Sequence, residues 1–155
     1  MGDNTYLHKD FHVSMDIALA YIDRRYKKEG VTEYLNRFAD SYHKDLINKI
    51  SQEGLSPFKA YLENIFKAEE CSDALSIIES KDTLHVKISK GFYVYTIIGY
   101  SQLVLEKVYG TIIQKAGYRF ELLNFDNQTG AAEFKVYRWL DDFMYWIYSS
   151  IFSSL

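Results

Sequence analysis

Cysteine and proline are nearly absent from this chain: each occurs once among 155 residues, as Cys71 and Pro57. A single cysteine cannot form an internal disulfide, and it cannot build a structural zinc site alone. We therefore expect a protein of a reducing compartment, with the cytoplasm as its location. The single proline follows Ser56, and this pair predicts the cap and the first turn of a helix.

The chain also lacks a cationic excess. Its 18 Lys and Arg residues stand against 21 Asp and Glu residues, which gives a net charge of −3. Proteins that bind nucleic acid usually carry a clear surplus of basic residues. We therefore expect no nucleic-acid partner.

Long apolar runs are missing as well. The most apolar stretch, Trp139 to Leu155, holds Asp141, Asp142 and four serines in 17 residues. A transmembrane helix needs about 20 apolar residues, so we expect no transmembrane segment. Met1 to Lys9 shows no cationic start followed by an apolar run, so we expect no signal peptide either.

Aromatic residues are what the chain has in plenty. They make up 17% of the sequence, with 14 tyrosines and 10 phenylalanines, and the hydrophobic fraction is 48%. A chain of this size buries roughly two-thirds of its unfolded surface, which is enough for a sizeable core. The sequence shows no repeat or linker, so we expect residues 1–155 to form one domain.

Apolar residues at steps of three and four predict three helices in the first half of the chain. The first runs from Phe11 to Gly30, the second from Thr32 to Gly54, and the third begins at Ser56. The connections between them are short, and each contains a glycine, so we expect the three helices to be packed neighbours.

The second half alternates between strand and helix patterns. Residues Leu75 to Ser80 and Thr83 to Ile88 predict a hairpin, in which Leu84, Val86 and Ile88 share one face. A helix follows in Leu103 to Lys115. The elements predicted after it are a hairpin of Tyr118 to Phe125 with Ala132 to Trp139, and a C-terminal helix.

These elements predict an α+β fold. It has three N-terminal helices, an antiparallel sheet of about four strands from two hairpins separated by a helix, and a C-terminal helix. We expect any ligand pocket to lie between the sheet and the helices.

Three stretches carry a resemblance to a known family: Tyr6 to His12, Gly30 to Leu35, and Ala116 to Gly130. In them the chain resembles the L-2-amino-thiazoline-4-carboxylic acid hydrolase-like family of small bacterial proteins. Its topology is also similar to vinyl-reductase-type domains, in which the last hairpin closes over a ligand pocket. The resemblance implies a small-molecule-binding protein that hydrolyses a C–N bond in a small carboxylated heterocycle or amide.

The resemblance implies a catalytic set of His8, Asp10 and His12. In this hypothesis a histidine activates water, a carboxylate orients the histidine, and Lys90 binds the carboxylate of the substrate. Members of the family often carry a Cys-Pro pair after the second strand, where this chain has Lys90 and Gly91. A non-catalytic ligand-binding or homo-oligomeric assembly module is therefore the alternative.

The residue spacing leaves other roles open for the same residues. His8, His12 and Asp16 are four apart, so on a helix that extended back to His8 they would lie along one face and suit a divalent metal. Alternatively, Asp10 caps a helix that starts at Phe11, and His12 is a polar first-turn residue. The sequence names neither a metal nor a cofactor.

Tyrosines Tyr93, Tyr95 and Tyr118 are candidates for ligand binding, because a ring with a hydroxyl offers stacking area and a hydrogen bond together. Core packing is the alternative for them. We expect His43 and His85 to be ordinary, partly exposed residues. The acidic pair before Cys71 is expected to raise the thiol pKa, which makes a nucleophilic role improbable.

The C-terminal stretch has a wider apolar face than a monomer needs. We therefore expect a homodimer that forms through the C-terminal helix, with burial inside the monomer as the alternative. The residues of this face are Trp139, Leu140, Phe143, Met144, Trp146, Ile147, Ile151 and Phe152.

Overall fold

The first half of the protein is helical. The computed structural model describes residues 10–91 and 99–138, and in it α1 spans Asp10–Tyr42, α2 spans Lys44–Glu53 and α3 spans Ser56–Ala68. Helix α3 begins where Ser56 and Pro57 predicted, although Leu55 rather than Ser56 occupies the capping position.

Helix α1 folds back on itself at Lys27, which has φ 57 and ψ −163. The rings of Phe11 and Tyr42 lie 6.0 Å apart, whereas an unbroken helix would separate these residues by about 46 Å. Residues 10–26 and 28–42 are thus two antiparallel arms. The sequence predicted this break at Gly30, three residues beyond its actual place.

The role of Gly30 differs from the predicted helix stop. A β-carbon at Gly30 would lie 2.3 Å from the β-carbon of Tyr26, far inside any real contact. Glycine therefore lets the chain pass close to the end of the first arm directly after the turn at Lys27.

The predicted helix from Thr32 to Gly54 is interrupted at His43. His43 has φ −98 and ψ 15, so the chain leaves the helical conformation there and α2 starts at Lys44. The predicted end at Gly54 is confirmed: this glycine follows α2 with a φ of 89. A positive φ of this size is one that side chains with a β-carbon rarely adopt.

Both predicted hairpins are present and form one antiparallel sheet. Strands β1 (Leu75–Ser80), β2 (Thr83–Ile88), β3 (Tyr118–Phe125) and β4 (Ala132–Arg138) lie in the order β1-β2-β4-β3. A single 3-10 turn, Ser72–Ala74, leads into β1. The α+β class is confirmed. The predicted last residue of the fourth strand, Trp139, and the predicted C-terminal helix lie outside the described residues.

The predicted helix over Leu103 to Lys115 is confirmed, with one irregularity. This helix, α4, consists of an α-helical turn Ser101–Val104, a π-helical turn Leu105–Tyr109 and an α-helical end Gly110–Lys115. A π-helical turn holds one residue more than an α-helical turn, so it shifts the direction of the side chains that follow.

The helices pack on one face of the sheet. Leu84, Val86 and Phe134 are fully buried on this face, as the alternation of the strands predicted. The opposite face carries polar side chains that are partly or fully exposed, among them His85 and Lys87. No helix among the described residues has the length and the apolar character that crossing a membrane requires.

Candidate functional site

A cavity lies where α1, α3 and α4 meet the end of β2 and the turn between β3 and β4. The centre of a water molecule can reach about 60 Å³ of it, and it is partly open to solvent. Most of its wall is apolar, but His12, Tyr61, Ser101 and Tyr109 also line it. The apolar part includes Phe11, Met15, Phe38, Phe66, Leu105 and Val108.

His12 lies on the wall of this cavity, in the first turn of α1. Only 6% of the residue is exposed, and its Nε2 atom lies 3.5 Å from Oε1 of Glu69 at the end of α3. Burial lowers the pKa of His12 to about 4. A carboxylate at this distance is expected to raise the pKa of a histidine, but the effect of burial is larger. At neutral pH the imidazole is therefore uncharged. His12 lies in the first turn of α1, as the capping alternative described, but it is buried.

Tyr109 contributes a second polar group to the wall. It is the last residue of the π-helical turn, and its ring contacts those of Phe58, Tyr61 and Phe134 at centroid distances of 5.8, 6.2 and 6.2 Å. Burial raises the pKa of its hydroxyl well above the usual value. The hydroxyl therefore stays protonated at physiological pH.

Sequence reasoning missed the contact between His43 and Tyr61. His43 is only 2% exposed, so the prediction of a partly exposed residue is wrong. Its Nε2 atom lies 3.1 Å from the Tyr61 hydroxyl, which belongs to the cavity wall. Burial lowers the pKa of His43 to about 4, against the opposing effect of hydrogen bonds with the backbone of Ala39 and Phe38.

His85 agrees with its prediction. It is partly exposed on the outer face of the sheet, away from Leu84 and Val86, and its Nε2 atom lies 2.6 Å from Oε1 of Glu133 on β4. The same carboxylate oxygen lies 3.3 Å from Nζ of Lys87, and together these contacts lower the pKa of Glu133.

Two glycines of the cavity wall, Gly91 and Gly130, lie against each other. The amide of Gly91 donates to the carbonyl of Thr129 at 2.9 Å, and a β-carbon on Gly91 would lie 2.8 Å from the carbonyl oxygen of Gly130. Gly130 is buried with a φ of 70. The pair Lys90-Gly91 thus has a structural reason: only glycine lets the turn between β3 and β4 come this close. Lys90, the residue before Gly91, is exposed.

The structure brings only part of the predicted site together. His12 and Gly91, the neighbour of Lys90, line the same cavity, and α1 begins at Asp10. Tyr118 is buried, but it lies elsewhere: its hydroxyl is 3.9 Å from the place of a β-carbon on Gly54. His8, Tyr93 and Tyr95 lie outside the described residues.

A metal centre and a reactive thiol gain no support from the described residues. Within residues 10–91 and 99–138, no three His, Cys, Asp or Glu side chains are placed to hold a metal ion together. Burial and the carboxylate of Glu69 raise the pKa of the Cys71 thiol, so the predicted direction is confirmed.

Comparison with known protein families, with curated proteins and with solved structures finds no match for this chain. The family resemblance therefore stays a prediction.

Proposed function

We propose that the protein binds a small heterocyclic or aromatic carboxylate, with the ring inside the cavity and the carboxylate beside Lys90. The observation that carries this proposal is the composition of the wall. Apolar side chains surround most of the cavity, while His12 and Tyr109 add a few polar groups that can orient a ring. Lys90 is exposed and directly precedes Gly91 of the cavity wall, so its cation suits a carboxylate that remains close to water.

The size of the cavity suits a small ligand. The centre of a water molecule reaches about 60 Å³ of it, which is several times the minimum of about 10–15 Å³ that one enclosed water needs.

Hydrolysis of a C–N bond is a further proposal that only one contact supports, that between His12 and Glu69. In such a reaction the imidazole takes a proton from the attacking water, the C–N bond breaks, and the departing nitrogen receives the proton. An imidazole with a pKa of about 4 is a weak base at neutral pH. We therefore place binding first and turnover second, with a non-catalytic binding module as the alternative.

Isothermal titration with thiazole-4-carboxylate, and with thiazole as the uncharged match, tests the binding proposal. We expect Val108→Phe to abolish binding of both, because the larger ring fills the cavity. Lys90→Gln should weaken only the carboxylate, and Lys49→Gln on the exposed side of α2 is the matched control. Unchanged binding in a folded Val108→Phe protein would contradict the proposal.

Turnover is tested separately, with 2-aminothiazoline-4-carboxylate as the compound that the resemblance suggests. Hydrolysis is supported if the native protein converts this compound and His12→Gln does not, while His12→Gln still binds thiazole. Binding without conversion supports the non-catalytic alternative instead.

We also propose that the protein forms a homodimer through Trp139 to Leu155 and works in the cytoplasm of a bacterium. The apolar composition of this stretch supports the dimer, and the free Cys71 thiol supports a reducing compartment. Sedimentation of the full chain and of a chain that ends at Arg138 tests the dimer. If both sediment as monomers, the dimer proposal fails.

A further inference from the structure

The outer face of the first arm of α1 combines an apolar row with a basic end. Val13, Ile17 and Tyr21 are four residues apart, and they are 48%, 66% and 58% exposed in the single chain. Single exposed apolar residues are ordinary on a protein surface, but three in one row on a helix indicate a contact surface. Arg24 and Arg25, which are also exposed, continue this row. We call these five residues the α1 row.

The basic end and the apolar part of the α1 row are physically connected. Nη1 of Arg25 donates a hydrogen bond to the Tyr21 hydroxyl at 3.0 Å, and its guanidinium carbon lies 5.7 Å from the centroid of the Tyr21 ring. A partner that covers Tyr21 therefore also meets the arginine cation. Along the helix, the row from Val13 to Arg25 is about 18 Å long.

One segment of this chain has the complementary pattern. Residues 139–155 carry Asp141 and Asp142 near their start, continue with an apolar stretch to Phe152, and contain no Lys or Arg. If this segment is helical, as its sequence predicts, Asp141 and Phe152 are about 17 Å apart, close to the length of the α1 row. An antiparallel arrangement places acid against base and apolar side chains against apolar side chains.

We propose that the α1 row receives residues 139–155 of a second copy of this chain, with the acidic end of that segment beside Arg24 and Arg25. The proposal rests on the proposed self-association and adds the surface that receives the C-terminal segment. Two copies that exchange these segments form a closed, two-fold dimer with two identical contacts.

Charge reversal tests the proposal, because it allows a rescue. The double variants Arg24→Glu/Arg25→Glu and Asp141→Arg/Asp142→Arg should each weaken dimerisation about tenfold or more, since like charges would then face each other. An equimolar mixture of the two should regain the dimer, because each contact of the mixed dimer then joins opposite charges. Sedimentation equilibrium of the full chain measures this, and Lys44→Glu/Lys49→Glu on α2 is the matched control.

The same measurements separate the possible failures. If both reversed variants remain dimers while the chain ending at Arg138 is a monomer, self-association stands and the α1 row is not the receiving surface. A mixture that stays monomeric also overturns the proposal. The proposal also fails if Arg24→Glu/Arg25→Glu has the same sedimentation mass as the native chain but a lower melting temperature. That result would mean that the chain's own end covers the α1 row. One further outcome also contradicts the proposal. If the native chain is a monomer that binds phosphatidylserine vesicles, and Arg24→Glu/Arg25→Glu loses this binding, the α1 row is a membrane-binding surface instead.

Discussion

The backbones of Gly91 and Gly130 meet in the wall of the cavity, so closely that a β-carbon on Gly91 would lie 2.8 Å from the carbonyl oxygen of Gly130. The atoms that it would meet belong to the backbone, which yields less readily than the end of a flexible side chain. This contact joins the end of β2 to the turn between β3 and β4.

Replacement of Gly91 by alanine should destabilise the protein by roughly 1–3 kcal/mol, because the added methyl group forces the two backbones apart. Urea unfolding measures this change. Gly110→Ala in α4 is the matched control, since a β-carbon there would have its nearest neighbour at an ordinary 3.6 Å. That variant should be neutral or slightly stabilised, and equal effects of the two substitutions would contradict the prediction.

Lys27 offers a stabilising substitution. Its φ of 57 with ψ −163 is a conformation that is essentially restricted to glycine and costs other residues about 1–3 kcal/mol. We expect Lys27→Gly to raise the free energy of unfolding, and Lys49→Gly, in the interior of α2, to lower it by about 1 kcal/mol. Thermal unfolding of the two variants shows whether the effects have opposite signs.

The stability of the protein should fall between pH 6.5 and pH 4. The pKa values of His12 and His43 are about 4 in the folded protein and 6.5 in the unfolded chain, so the unfolded chain binds more protons in this range. Each histidine then costs the folded state about 3 kcal/mol once the pH is below both values. Urea unfolding at pH 7 and pH 5 measures the loss.

The control for this pH dependence is His43→Gln, which should reduce the loss of stability between pH 7 and pH 5. Glu79, Glu133 and Asp126 have pKa values below their usual range, so their stabilising contribution is lost only at lower pH, below about 4.5. A slope between pH 7 and pH 5 that is the same in His43→Gln and in the native protein would argue against a neutral, buried His43.

The contact between His43 and Tyr61 should appear as a coupling energy. In a double-mutant cycle of His43→Phe and Tyr61→Phe, we expect about 1 kcal/mol of interaction, the usual value for a hydrogen bond inside a protein. A second cycle that pairs His43→Phe with Tyr34→Phe, on the second arm of α1, is the control, and we expect no coupling energy in it. Additive effects in the His43 and Tyr61 cycle would show that this contact contributes little.

The regular parts of this fold could be predicted from the sequence because their patterns repeat. Strand β2 alternates strictly, and the burial of Leu84, Val86 and Ile88 follows from that alternation. The end of α2 at Gly54 and the start of α3 at Ser56 and Pro57 depend on local chemistry that these residues carry wherever they occur.

The irregular parts could not be predicted because tertiary contacts decide them. Nothing in the identity of Lys27 indicates a reversal, since the packing of two arms holds it in a conformation that lysine disfavours. The break at His43 and the π-helical turn that ends at Tyr109 likewise depend on neighbours distant in sequence. These two irregularities orient His43 and Tyr109 toward Tyr61, which explains why sequence reasoning found only His12 of the polar wall.

The strand order has a consequence for folding. The α1 fold-back and both β-hairpins join segments that are near one another in sequence, whereas the pairing of β2 with β4 joins distant ones: His85 and Glu133 are 48 positions apart. Non-local pairing is the slow step in forming such a fold. The cavity lies between the segments on either side of this late junction, so it exists only after the two halves of the chain have met. A molecule that occupies it would slow the separation of those halves and so prolong the lifetime of the native state.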